Sequence, residues 1–268
     1  MTYQFKTTYH IDDAQKKAIQ SLLQTERECT ISEDFFDSYE DEDCFLCYAT
    51  DELGEMISFI FDRFYEDDHM LYAFTKVHYR RKHLFSDLLN ILFSEFPDGF
   101  FSASYDEYHI DTEKTIEQMG FQIFETDYLM QSPNPTDLIT PDTTLSFETT
   151  TDIALLANLH DQAFHISYEA SFAYVQMMLS EEDMLAYTIK SHDTIIGSFF
   201  VFQNFIAGFG IIEEQKRKNY ATIALSQFII AKNSIVRVQV SESNQPAFNL
   251  YKNLGFSIIE QLKTIRIN

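Results

Sequence analysis

The sequence predicts an α/β fold built twice in tandem, and three observations carry that expectation. A basic run, Arg80-Arg81-Lys82, opens an amphipathic stretch that ends at Gly120-Phe121. A second run, Lys216-Arg217-Lys218, opens another that ends at Gly255-Phe256. The copies are offset by 136 residues at the basic runs and 135 at the Gly-Phe pairs, about half of the 268-residue chain. Between them residues 132–143, SPNPTDLITPDT, concentrate three of the five prolines among turn formers and read as a linker. The segments on either side follow the same order of strand and helix patterns. The expected domains are therefore 1–131 and 144–268, each a strand-rich α/β sandwich, and each of a size that folds as a domain.

In the first domain YQFKTTY alternates as a strand and DDAQKKAIQSLLQTERE has helical periodicity. CFLCYAT and EMISFIFDRF form a hairpin around Glu52-Leu53-Gly54, and MLYAFTKV is a further strand. HLFSDLLNILFSEF places apolar residues at 84, 85, 88, 89, 92 and 93, one helical stripe. GFFSASY, DTEKTIEQM and FQIFETDYLM follow as strand, helix and strand. In the second domain TLSFET precedes helices near DIALLANLHDQAF and YEASFAYVQMMLS. MLAYTIK and TIIGSFFVF turn around Ser191-His192-Asp193, FIAGFGII is a strand and YATIALSQFIIAK a helix. SIVRVQV, QPAFNLYKNL and SIIEQLKTIRI close the order as strand, helix and strand.

Composition narrows the class. With 45% hydrophobic residues, 26 Phe and 15 Tyr, the chain can fill two cores. It contains no apolar run of membrane-spanning length, and MTYQFKTTYHIDDAQKK lacks the pattern of a signal peptide. A cytoplasmic location is expected. Cys44 and Cys47 are three apart on a strand pattern, so they face opposite sides and share neither a metal nor a disulfide. The net charge is −23, and residues 1–134 carry 28 acidic against 10 basic side chains. Such a field disfavours nucleic acid and anionic membrane as partners and favours cationic ones. The acidic runs Glu40-Asp41-Glu42-Asp43 and Glu66-Asp67-Asp68 read as solvated loops.

The chemistry is expected where a strand meets a helix. The first N–H groups of a helix lack intrahelical partners and point outward with the dipole behind them, which makes an anion site. At IIEEQKRKNYATIAL, Lys216, Arg217 and Lys218 add positive charge, and Asn219 tolerates a left-handed turn.

This junction and the segment after it resemble the GNAT superfamily of acyl-CoA-dependent N-acyltransferases. The superfamily's pyrophosphate loop, Arg/Gln-x-x-Gly-x-Gly/Ala, is matched by KRKNYA with Lys216 for Arg or Gln, Asn219 for Gly, and Ala221 in agreement. Its second motif, Asn-x-x-Ala-x-x-x-Tyr-x-x-x-Gly-Phe, is matched without a gap by Asn244, Ala247, Tyr251, Gly255 and Phe256. The first domain fits more loosely: VHYRRKHLFSDLL keeps Arg80 but has His83 and Phe85 at the Gly positions. The resemblance covers nearly the whole chain as two tandem GNAT-like domains, each a mixed, mainly antiparallel central sheet flanked by helices.

The resemblance implies an enzyme that moves an acetyl or other acyl group from acyl-CoA to a primary amine by direct attack, with no metal. It assigns Ile211, Ile212, Lys216, Arg217, Lys218, Asn219, Tyr220, Ala221, Thr222 and Asn244 to the acyl-CoA. Tyr251 is the catalytic acid that meets the departing thiolate. Asn244 and Tyr251, seven apart, are expected on one helix face. In the first domain Ile116 stands opposite Tyr251 and His109 opposite Asn244, so that domain reads as degenerate. A general base is not evident: the strand position that often supplies one falls near Phe205, where nothing titrates. Glu213 and Glu214 stand close to the loop. His160, His165 and Glu169 lie in or between the helices that border the acceptor site, and His165 suits a base near pH 7. Asp68 and His69 lie near the corresponding base position in the first domain. The implied acceptor is a small-molecule or peptide amine, and the acidic charge favours a cationic one. The alternative reading is a non-catalytic acyl-CoA-binding or regulatory protein. A third reading, a transferase using charged tRNA, is disfavoured by the acidic charge.

Overall fold

The computed structural model describes residues 3–24, 44–106, 110–141 and 145–267. The acidic run at 40–43 and the expected counterpart of Asn244 at His109 lie outside the described residues. The chain forms two compact units: residues 1–125 with 262–268, and residues 126–261.

The first unit holds strands β1 (Gln4–Thr8), β2 (Cys44–Thr50), β3 (Met56–Tyr65), β4 (Asp68–Thr75) and β5 (Phe100–Asp106), and helices α1 (Asp13–Gln24), α2 (Leu84–Glu95) and α3 (Ile110–Met119). β1 to β4 pair antiparallel in sequence order. β4 and β5 run parallel at Asp68–Phe100, His69–Phe101 and Met70–Ser102. Strand alternation sends Leu46, Phe59 and Phe61 to one face, under Ile19, Leu22 and Leu23 of α1. It sends Phe45, Cys47, Ile60 and Leu71 to the other, under Leu88, Leu89 and Leu92 of α2. Cys44 and Cys47 are accordingly buried in different clusters and form no disulfide with each other.

The second unit is built alike, from β6 (Gln122–Gln131), β7 (Ser146–Thr149), β8 (Leu185–Ser191), β9 (Thr194–Phe202), β10 (Phe205–Ile211) and β11 (Arg237–Ser241). α4 (Ile153–Phe164) and α5 (Tyr168–Ser180) cover one face around Leu156, Ala157, Val175, Ala186 and Phe200. α6 (Tyr220–Lys232) and α7 (Gln245–Asn253) cover the other, around Ile206, Leu225, Phe228, Ile229 and Val238. β12 (Ser257–Ile267) ends the described chain.

The expected boundaries at 131 and 144 do not coincide with the compact units. Asp127 to Gln131 of β6 pair antiparallel with β11, and Met130 joins the second unit's core. Leu262 to Ile267 of β12 pair with β5, and Ile265 and Ile267 join the first unit's core. Each repeat's closing strand thus completes the other unit's sheet. The expected linker is also partly structural, because Ser132 donates its N–H to the Val236 carbonyl and Leu138 packs on the second unit's core.

The Gly-Phe pairs end α3 and α7 identically. Gly120 and Gly255 are left-handed, at φ +73° and +85°. Phe121 N–H donates to Ile116 and Phe256 N–H to Tyr251, while each glycine N–H reaches three residues back. This double bond is the Schellman stop, and it needs a residue without a Cβ penalty at that φ.

Candidate functional site

In the second unit the parallel pair β10–β11 is joined only at Phe205–Arg237 and Ile206–Val238. Beyond those rungs β10 runs on to Ile211 and β11 to Ser241, leaving an opening at the carboxyl ends of two parallel strands. Ligands of open α/β sheets gather in such openings.

The basic loop and the start of α6 follow β10. Ile211 and Ile212 are buried, and Ile212 N–H is held by the Ile196 carbonyl. After one 3₁₀ turn at Glu213–Gln215, Lys216 is extended while Arg217 and Asn219 are left-handed, at φ +63° and +62°. Asn219 is the N-cap position of α6, where its conformation is one glycine adopts freely and asparagine tolerates. Tyr220, Ala221 and Thr222 form the first turn, half-buried, and the Tyr220 hydroxyl accepts from Ser191 Oγ at 3.5 Å. Arg217 and Lys218 are exposed, with Lys218 Nζ on Gln215 Oε1 at 2.8 Å.

Lys216 behaves differently from its neighbours. Its ammonium donates to the Ala163 carbonyl at 2.9 Å and pairs with Glu213 at 2.8 Å. His165 Nε2 meets the same Glu213 oxygen at 3.1 Å. Hydrogen bonds from Lys216 first, then His165, hold the Glu213 carboxyl below its usual range. These three side chains clamp the loop to the end of α4, so Lys216 shapes the loop and leaves Arg217 and Lys218 as its outward charges. Arg80, at the matching position of the first unit, donates Nε–H instead to the Thr75 carbonyl at the end of the preceding strand. His160 is no free base: it is buried, bonded through Nδ1 to Ser171 Oγ at 3.0 Å, and burial lowers its pKa.

Asn244 lies just before α7 rather than on it. It caps the helix, its side-chain oxygen accepting from Ala247 N–H at 3.3 Å. Asn244 and Tyr251 therefore stand at opposite ends of α7, one at its cap and the other in its last turn. Tyr251 is buried and its ring packs on Phe256 at 5.3 Å. Burial alone pushes its phenol up to about 12, so it keeps its proton at neutral pH.

One part of the site escaped the sequence reading. Between Ala207 and Gly210 the β9–β10 register shifts, so that Gly208 and Phe209 oppose a single residue, Phe199. Such a bulge releases backbone groups from the ladder. Gly208 takes φ +54°, and the hydroxyl of Tyr174 on α5 and the ring of Phe200 crowd the space beside it. The glycines at 208 and 210 inside a strand pattern were the available signal.

The first unit repeats the frame but not the site. Arg81 and His83 are left-handed, both at φ +63°, matching Arg217 and Asn219. β4, however, pairs with β3 in unbroken register from Tyr65–Asp68 to Ser58–Thr75. Ile116 holds the place of Tyr251 and makes the same bond to the Gly-Phe stop. Among the described residues no group of three His, Cys, Asp or Glu is placed to hold a metal ion. Nor is any described helix long and apolar enough to cross a membrane.

No family model and no curated protein matches this sequence. Solved structures do match it along its length. A GCN5-related N-acetyltransferase from Sphaerobacter thermophilus superposes with a TM-score of 0.71 at 14% identity, over 99% of this chain and 95% of that one. A tandem GNAT protein from the clavulanic acid biosynthesis pathway does so at 0.66 and 11%, over 99% and 98%. A GNAT-family acetyltransferase from Colwellia psychrerythraea gives 0.62 and 8%, over 99% and 100%. The fold is that of the GNAT acetyltransferases, present as two tandem GNAT-like domains.

Proposed function

We propose that the second unit transfers an acyl group, acetyl in the simplest case, from acyl-CoA to a primary amine. The observation that carries this reading is a left-handed basic loop between β10 and α6, together with a buried, protonated phenol on α7, the helix that follows β11. The loop's N–H groups, with Arg217 and Lys218, suit a pyrophosphate. Asn244 and the free end of β11 suit the pantetheine arm. The amine nitrogen attacks the thioester carbon, the carbonyl oxygen takes up charge beside the bulge, and the C–S bond breaks on collapse. The ammonium proton leaves to water.

Tyr251 meets the departing sulfur. A phenol near 12 is a weaker acid than a thiol, whose ordinary value is about 8.5. Tyr251 therefore stabilises the thiolate as a hydrogen-bond donor, and full protonation follows from solvent. A cationic amine is the acceptor this reading favours, because a chain of net charge −23 draws cations toward it.

The test measures acetyl-CoA binding calorimetrically and free CoA thiol release across a panel of polyamines, aminoglycosides and Lys peptides. Tyr251→Phe should keep binding within a few-fold and lower kcat about 10²-fold or more, the scale of losing one hydrogen-bond donor to developing charge. Wild-type binding without thiol release on any amine supports a binding protein instead, and absence of binding removes both.

A further inference from the structure

Tyr174 is a second phenol at this opening, and no known part of the site requires it. It projects from α5, on the face of the sheet opposite to Tyr251. Its ring is wedged between His160, stacked at 4.6 Å and 25°, and Phe200, edge-on at 6.0 Å and 84°. His160 is in turn tied to Ser171 at 3.0 Å. The side chain is therefore held in place by both neighbours.

The hydroxyl lands on the bulge. A methyl group placed on Gly208 would lie 3.1 Å from Tyr174 Oη and 2.9 Å from the Phe200 ring. The phenol thus occupies the space that a side chain at 208 would fill, against backbone released from the ladder. Burial raises the Tyr174 pKa, so the phenol keeps its proton at neutral pH. The side chain as a whole is half-buried. The hydroxyl thus stands at the point where the strand pairing has opened, in the one unit that has the bulge.

We propose that the Tyr174 hydroxyl is a catalytic hydrogen-bond donor to the acyl carbonyl oxygen, closing on it from the α5 face while a backbone N–H of the Gly208–Phe209 bulge closes from the strand. This rests on the acyl-transfer reading above. As the amine nitrogen forms its bond to the carbonyl carbon, the π pair moves onto oxygen and both donors shorten. No proton is transferred at this step, and the pair returns when the C–S bond breaks. The two phenols then divide the thioester between them, Tyr174 on oxygen and Tyr251 on sulfur.

The test needs no acceptor. Acetyl-CoA labelled with ¹³C at the thioester carbonyl is added to the full chain, and the carbonyl stretch is followed by difference infrared spectroscopy alongside calorimetry. Wild type should bind and shift the band to lower frequency. Tyr174→Phe should bind within about threefold and return the band toward its free position. With any amine that turns over, it should also lower kcat about 10²–10³-fold at little change in KM, the scale of losing one oxyanion donor. Binding with an unshifted band, or a shift that Tyr174→Phe leaves intact, overturns the assignment and leaves the acyl-transfer reading standing. If wild type binds no acetyl-CoA, both fall together.

Discussion

Asp62 and His69 are buried side by side in the first unit, with His69 Nδ1 on Asp62 Oδ2 at 2.6 Å and Asp62 Oδ1 without a partner among the described residues. Counting from the matching parallel rungs, the second unit fills these positions with Phe199 and Ile206, both in its core. The fold does not need the polar pair. Breaking a buried pair is costlier than replacing all of it. His69→Ile should therefore lower unfolding stability by about 3–5 kcal/mol, while Asp62→Phe with His69→Ile should be near neutral or better, read from denaturant midpoints. Burial pushes Asp62 up to about 6, against the opposing pull of His69. Cys47 and Tyr9, which also face it, are each pushed up to about 12, chiefly by burial, and stay protonated. The folded chain then holds a proton at Asp62 that the unfolded chain releases above its ordinary 3.8. By linkage, the wild type should gain stability relative to Asp62→Asn as pH falls from 7 through 6 toward 4. The opposite trend in melting temperature would refute the assignment. At this scale the left-handed Asn219 was legible, because it lies in a local motif. Tyr174 was not, since its meaning depends on a bulge 34 residues away.

At the scale of elements, helices, strands and both Gly-Phe stops were readable from periodicity and from the demand of a left-handed stop for glycine. The bulge in β10 was not, because register belongs to two strands and not to one. The glycines separate these cases. A Cβ on Gly120 would meet nothing within 4 Å, so Gly120→Ala should cost only the left-handed backbone, about 1–2 kcal/mol. Gly208→Ala carries the same backbone cost and also drives a methyl against Phe200 and Tyr174. Its denaturation midpoint should fall further than that of Gly120→Ala. If the two midpoints fall equally, the crowding at the bulge has no energetic weight.

For the whole molecule, duplication was legible from offsets near half the chain, but the exchange of closing strands was not. FQIFETDYLM and SIIEQLKTIRI are both strand patterns, and nothing local to either selects its partner. The exchange predicts that the halves are not separable. Residues 1–131 expressed alone lack the strand that pairs with β5 and the buried Ile265 and Ile267. That fragment should show no cooperative unfolding transition, and adding a peptide of residues 256–268 should restore one. A fragment that melts cooperatively by itself would contradict the exchange.

The partnership of β5 with β12 also sets a timetable. Ser104 and Thr264 share a hydrogen bond across 160 residues of chain. During synthesis the N-terminal sheet therefore lacks its β5 neighbour until residues 262–267 have been made. An uncovered strand edge invites pairing with other nascent chains. The waiting half carries 28 acidic side chains against 10 basic ones, so copies of it repel one another through that interval. That repulsion opposes edge-to-edge pairing of unfinished molecules until each can supply its own missing strand.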